Sequence, residues 1–348
     1  EIAEIMARLR AEADHMPPRQ LRDVLDAEWG RGWLGRFAKF DAHPIAAASI
    51  GQVHRARLKD GTELAIKVQY PGVRRSIDSD VSNVGALMRM AGVLPPGTDI
   101  APLLEEARRQ LHEEADYERE AGQLAAFHRL LAGDDAFTTP APHDALTTQN
   151  VLAMGFVKGL AVERMAEAPQ DVRDRITASL FRLMLREMFE FGLMQTDPNF
   201  ANYRYDAETG RVVLLDFGAA RAYPPDRVAA FRALLRAAHL DDVPAIDRAI
   251  EAVGYVSAGT ATHHREAVVA LVRMGAAPFR QPGPVDFARI EVTTALREAG
   301  MELGMDRDFA DLAPMDALFL QRKVAGMYLL AKRLRARVDV DALVGPWL

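Results

Sequence analysis

The chain contains no cysteine, which excludes disulfides, thiolate zinc centres and cysteine nucleophiles together and suits a reducing compartment. It has no uninterrupted apolar run of about 18 residues or more, so no segment reads as a membrane-spanning helix and a cytoplasmic location is expected. Positive charge is not in excess. The net charge of −6 gives nucleic-acid binding no electrostatic support. Internal repeats and low-complexity tracts are also missing, and Glu1 opens the chain without Met or a signal-like pattern, as a fragment would. What is present is ordinary for a globular protein: 348 residues, 49% hydrophobic and 26% charged, enough for two domains or one two-lobed enzyme.

Residues 2–29 read as helical with a break at Pro17-Pro18, Ile2, Ile5, Met6 and Leu9 marking one face and Leu21, Val24 and Leu25 another. From Ile45 the texture changes to strands. Gln52–Leu58 alternates, Lys59-Asp60-Gly61 supplies a turn, and Glu63–Val68 resumes, which predicts a hairpin. Helices are expected over roughly 74–93 and 100–131, separated by Leu94-Pro95-Pro96-Gly97, followed by a short strand at Val151–Met154. A helix around 171–192 and further helices fill the rest, with a Gly/Pro-rich loop at 275–284. The sum is an α+β, two-lobed, protein-kinase-like layout. Residues 1–157 form a small β-containing lobe with inserted helices, and 158–348 form a helical lobe.

Two segments carry most of the chemical information. In Thr196-Asp197-Pro198-Asn199-Phe200-Ala201-Asn202 an Asp is followed five residues later by an Asn, and Asp216-Phe217-Gly218 follows the apolar run Val212–Leu215. Phosphoryl-transfer enzymes use this order: Asp216 and Asn202 offer hard oxygen ligands to Mg²⁺, and Asp197 acts as base or orienting group for the attacking hydroxyl or water. Taken alone, Asp-Pro-Asn is also ordinary turn chemistry. Lys67, on the run Ala65-Ile66-Lys67, reads either as a solvated strand residue or as the phosphate-binding Lys held by a helix Glu. The order of motifs favours the second. Where a Gly-rich phosphate loop is expected, the chain has Ala46-Ala47-Ala48-Ser49-Ile50-Gly51-Gln52 with a single Gly, which predicts a stiffer loop.

Ala46–Gln52 with Val53 and His54 resembles the alanine-rich loop of the UbiB family of atypical kinase-like proteins, related to AarF. Gln195-Thr196-Asp197-Pro198-Asn199 is similar to the branch containing the mitochondrial ubiquinone-biosynthesis atypical kinases, and Lys67–Val73 and Leu214–Ala219 fit that branch. The resemblance runs from about residue 16 to about 337. It implies binding of ATP or ADP with Mg²⁺, and ATPase or small-molecule or lipid kinase activity supporting ubiquinone biosynthesis rather than general protein phosphorylation. It places adenine near Met154, Gly155, Phe156 and Val157 beneath Val53 and Ala65, and the phosphates at the Ala48–Gly51 backbone. Glu120 becomes the partner of Lys67, and Glu114-Ala115-Asp116 matches a Glu-x-Asp motif that engages a Lys-x-Gly-Gln motif, which does not occur in this chain. Six residues along one helix put Glu114 about 120° from Glu120, so different partners are expected for the two. The implied partners are a nucleotide, an isoprenoid-quinone precursor, ubiquinone-biosynthesis enzymes and an anionic membrane surface, at the periphery of the inner membrane.

Other features favour plainer readings. His263-His264 reads as a surface or cap pair, since adjacent helix residues point about 100° apart. The Leu183–Met194 stretch reads as a buried helix leading into the 196–202 segment. Lys323 to Arg337, with Lys332, Arg333 and Arg335 beside Met327, Tyr328, Leu329, Leu330 and Leu334, reads as the last helix with a solvated basic edge; membrane contact is the alternative. Two functional alternatives stand beside the enzyme: a nucleotide-sensing, pseudokinase-like scaffold for lipid-modifying enzymes, and an aminoglycoside- or choline-kinase-like enzyme. The complete Asp-Phe-Gly and the alanine loop count against the latter.

Overall fold

The structure is a computed structural model that describes residues 15–90, 100–306, 308, 309, 311 and 313–348. The chain divides into two units. Lys158 and the residues before it, joined by Val213–Ala219, form the first; Gly159–Val212 and Ala220–Leu348 form the second.

The first unit opens with α1 (Pro18–Trp29), whose Pro sits where a helix N-terminus tolerates it and whose Leu21, Leu25 and Trp29 line one buried face. Strands β1 (Phe37–Phe40), β2 (Ala46–Ala48), β3 (Gly51–Leu58) and β4 (Glu63–Gln69) follow. Helices α2 (Val73–Met90), α3 (Ala101–Glu114) and α4 (Tyr117–Leu130), then β5 (Phe137–Thr138) and β6 (Val151–Gly155), complete it. The main sheet runs β1-β3-β4-β6 with β2 paired to β3, all neighbours antiparallel. Its period-2 alternation separates two faces. Leu64, Ile66, Val68, Val151 and Ala153 pack with Leu21, Leu25, Trp29, Trp33 and Phe37 in one core. The other face carries Val53, Ala65 and Lys67, with Lys67 opposite Val53 on β3 and Leu152 on β6.

The Asp60-Gly61 turn joins β3 to β4 as expected, with Gly61 at a φ of 93° that few other residues adopt. The single helix expected over 100–131 is two. Asp116 leaves helical geometry and its side chain accepts a hydrogen bond from the Arg119 N–H, capping α4. The readings at Ile2, Ile5, Met6 and Leu9 and at 91–97 lie outside the described residues.

The second unit holds β7 (Leu160–Ala161), α5 (Gln170–Arg186), a π turn at Glu187–Phe191, β8 (Leu193–Gln195) and β9 (Tyr203–Asp206). Strand β10 (Arg211–Leu214) then carries the chain into the first unit's segment, and β11 (Ala220–Ala222) brings it back. Next come α6 (Pro225–His239), α7 (Val243–Val253), α8 (Thr262–Ala276), β12 (Val285–Asp286), α9 (Val292–Met305), α10 (Met315–Arg333), β13 (Arg337–Val338) and α11 (Val340–Val344). Its short strands pair antiparallel as β7–β9, β8–β11 and β12–β13. Ala237, Ile246, Ile250, Val256, Val268 and Val269 unite α6, α7 and α8 in a core. Among the described residues no helix is long and apolar enough to cross a membrane. The sheet-containing first unit and mostly helical second unit match the α+β layout read from the sequence.

Candidate functional site

Lys67 stands on the face of β4 turned towards α4, where Glu120 projects from the first turn of that helix. Lys67 Nζ donates to both Glu120 oxygens, at 2.9 and 2.8 Å, and lies 3.5 Å from Asp216 Oδ2. Lys67 and Glu120 are 6% and 2% exposed, so this is a dry ion pair rather than a surface one. Burial alone would depress the Lys67 ammonium, but Asp216 and Glu120 outweigh it and hold its pKa well above the ordinary lysine value. Burial pushes the Glu120 carboxyl up to about 7, although Lys67 draws it down. The ammonium also sits 4.9 Å above the Tyr117 ring.

Asp216 belongs to the excursion Val213–Ala219, which the sequence reading assigned to the second lobe and the structure assigns to the first. Three contacts explain the correction. Phe217, 1% exposed, packs on Phe127 with ring centroids 4.8 Å apart. Arg119 Nη1 donates to the Gly218 carbonyl at 2.7 Å, and Lys67 meets Asp216. Asp216 Oδ1 accepts from the Gly218 N–H at 3.0 Å while Oδ2 faces Lys67, which orients a partly exposed carboxylate. Tyr117, Arg119 and Phe127 were not singled out from sequence. The only available signal was their place on the helix that carries Glu120.

The alanine stretch is not an open loop. Ala46, Ala47 and Ala48 form β2, opposite Val53, Gln52 and Gly51, and only Ser49 and Ile50 turn the chain. Gly51 is required there: a Cβ would lie 2.3 Å from the Val68 carbonyl oxygen and 3.0 Å from Tyr117 Oη. The Gln52 side chain departs from the expectation for the loop. It is fully buried on the far face of the sheet, accepting from the Met16 N–H at 2.9 Å and contacting His54 Nε2 at 2.9 Å. Alternation along β3 enforces this, since Val53 shares the Lys67 face and its neighbours cannot. Ala65 pairs with Met154 across β4 and β6 on that face. The Gly155 N–H donates to Ala141 and the Phe156 N–H to Glu63, with Arg55 over the Phe156 ring at 4.5 Å, and Val157 follows. Glu114 hydrogen-bonds Ser49 Oγ while Asp116 caps α4. Glu114 and Glu120 thus have different partners because the helix breaks between them, not because they lie on different faces of one helix.

In the second unit the Asp197–Asn202 segment closes on itself. Asp197 Oδ2 accepts from Asn202 Nδ2 at 2.8 Å, and Oδ1 accepts from the Asn199 N–H at 3.3 Å. Asn199 Oδ1 accepts from the Ala201 N–H at 3.1 Å. Because the Asn202 amide spends its Nδ2 on Asp197, its Oδ1 is turned to serve as an acceptor or a hard ligand. Carboxylate and amide oxygens, with no sulfur or imidazole among them, form the donor set that Mg²⁺ takes. Asp216 offers carboxylate oxygens in the first unit and Asn202 an amide oxygen in the second, each of that donor class.

Two further expectations change. Lys323 is not on a solvated basic edge; it is 1% exposed, 3.2 Å from Glu187 Oε2 and 3.1 Å from Tyr203 Oη. Of the exposed cations after it, Arg333 pairs with Glu163, Arg335 with Glu167 and Arg337 with Asp286. Their helix is followed by α11 rather than being the last. The His263 and His264 rings are tilted, with centroids 3.9 Å apart, but His264 is buried and its Nε2 lies 3.0 Å from Asp306 Oδ2. That bond ties α8 to the residue after α9.

Residues 8–250 match the ABC1 atypical kinase-like domain. The chain is 38% identical over 338 residues to the mitochondrial atypical kinase COQ8B of Rattus norvegicus, covering 97% of this chain and 64% of that one. It is 37% identical over 343 residues to the mitochondrial atypical kinase COQ8 of Saccharomyces cerevisiae, covering 99% of this chain and 68% of the relative. The chain therefore spans about two thirds of the length of these relatives. Among solved structures, that of Rv3197 with erythromycin, from Mycobacterium tuberculosis, shares the fold with a TM-score of 0.75. Identity is 23%, and the match covers 99% of this chain and 86% of that one. With the alanine hairpin, the Lys67–Glu120–Asp216 cluster and the Asp197–Asn202 segment already in place, these matches establish that the chain belongs to the ABC1 atypical kinase-like family.

Proposed function

We propose that this chain is a Mg²⁺-dependent, ATP-binding atypical kinase or ATPase that supports ubiquinone biosynthesis. The observation that carries the reading is the Lys67 ammonium held by both Glu120 oxygens with Asp216 at 3.5 Å. A buried cation fixed in this way is aimed rather than free, and nucleotide phosphates are the anions such a Lys binds. Asp216 and Asn202 would hold Mg²⁺, which when bound neutralises and orients phosphate oxygens. Val53, Ala65 and Met154 would cover the adenine, with Gly155, Phe156 and Val157 at its edge. The Ala46–Gln52 hairpin would present backbone to the phosphates. Asp197 would orient the acceptor, or water, and take its proton. The names of the relatives support the pathway, and an isoprenoid-quinone precursor at an anionic membrane surface is the acceptor side of the proposal.

A second reading, a nucleotide-sensing scaffold, is favoured by one observation: both Asp197 oxygens are already engaged within the segment, as in a simple turn. Phosphate release should be measured with and without anionic liposomes and a quinone-precursor mimic, for wild type, Asp216→Ala and Asp197→Asn. The enzyme reading expects release well above the Asp216→Ala control, and Asp197→Asn should retain ATP affinity while turnover collapses. ATP binding with no release above that control would leave the scaffold. Equal turnover in Asp197→Asn would remove that residue from the chemistry.

A further inference from the structure

The buried charges of the second unit lie around the Asp197–Asn202 segment rather than in it. Lys323 on α10, Glu187 at the start of the π turn and Tyr203 at the start of β9 are 1%, 1% and 3% exposed. Lys323 Nζ lies 3.2 Å from Glu187 Oε2 and donates to Tyr203 Oη at 3.1 Å. Apolar residues of similar volume usually pack as stably as a buried ion pair, so stability alone does not account for this one. Its attachments do. Glu187 is bonded by the backbone N–H of Gln195, the residue just before Thr196-Asp197. Tyr203 is the residue just after Asn202. Between them, Pro198 presses on α10 at Gly326, where an added Cβ would lie 2.3 Å from Pro198 Cβ. The segment is therefore gripped before, within and after, and every grip leads to Lys323 or to the helix turn beside it.

We propose that Lys323, Glu187 and Tyr203 form a clamp that sets the conformation of residues 196–202, and so positions Asp197 and Asn202. The three are positioning residues. They act through the backbone on either side of the segment, and the inference rests on the reading of Asp197 and Asn202 proposed above. A segment ending in two tethers to one buried ammonium has few ways to shift, and a misplacement of about 1 Å in a reacting group can cost about a hundredfold in rate.

Two gentle variants test the clamp in the full chain. Tyr203→Phe removes only the hydroxyl, and the double variant Lys323→Met with Glu187→Gln removes both charges at near-constant volume. Each is expected to melt close to wild type, to lower kcat about tenfold or more, and to change KM for ATP by about twofold or less. Hydrogen exchange read by mass spectrometry should show faster exchange confined to 196–202. Wild-type kcat and unchanged exchange in both variants would overturn the clamp. So would a double variant that melts well below wild type yet keeps wild-type kcat, which would make the charge pair structural only. If wild type releases no phosphate above the Asp216→Ala control, the proposed function fails, while the exchange comparison still decides the clamp.

Discussion

At Lys67 and Glu120, burial and charge pull against each other, and the balance sets a pH dependence. A buried carboxyl resists ionisation, which places Glu120 at about 7. Above that pH it is a carboxylate and grips the ammonium; below it, the protonated form releases part of that grip. Lys67, with its pKa raised, stays charged across this range, so the pair it contributes is lost only as pH rises through its own folded value. Turnover is therefore expected to rise with pH through about 7 and to fall roughly tenfold for each pH unit below. A pH profile of phosphate release checks this, with Glu120→Gln expected to be slower and without that acid limb. An identical limb in Glu120→Gln would assign it to another group. The residue scale is also where the sequence was most legible. Lys67 and Asp216 are named by local motifs and Glu120 by the family resemblance, and the fold brings the three within hydrogen-bonding or ion-pair distance.

At the scale of elements, the alanine hairpin shows why a loop can dispense with glycines yet keep one. β2 is built of three alanines, but a Cβ on Gly51 would meet the Val68 carbonyl, and backbone cannot step aside. Gly51→Ala is expected to destabilise by about 1–3 kcal/mol, measured by calorimetry. Gly35→Ala, where nothing lies within 4 Å and φ is not positive, should be near neutral. Equal effects of the two would show that the crowding at Gly51 is relieved elsewhere. The Asp60-Gly61 hairpin was readable because turn chemistry is local. The break between α3 and α4 was not, because Asp116 sits in an acidic run where it looks like one more helix-compatible residue. Lys323 was misread for the opposite reason: it follows Arg322 and precedes other basic residues, and its partners Glu187 and Tyr203 come from distant parts of the sequence.

At the scale of the whole molecule, the order of the motifs was enough to indicate the fold class, but not the membership of Val213–Ala219. That segment follows an apolar strand and looks continuous with the second unit, whereas Phe217, Gly218 and Asp216 are all held by residues of the first. If a protease site is introduced between Lys158 and Gly159 and cut, the two pieces are expected to elute together, because the segment stays seated on the first. Separation into two peaks on size exclusion would count against that seating. The excursion has an evolutionary consequence as well. Recombination by one crossover at 158/159 would join the Lys67 and Phe127 of one parent to the Asp216-Phe217-Gly218 of another. Chimaeras among relatives should therefore work best when the short excursion is inherited together with the first unit, so that the two segments behave as one gene segment written in two places.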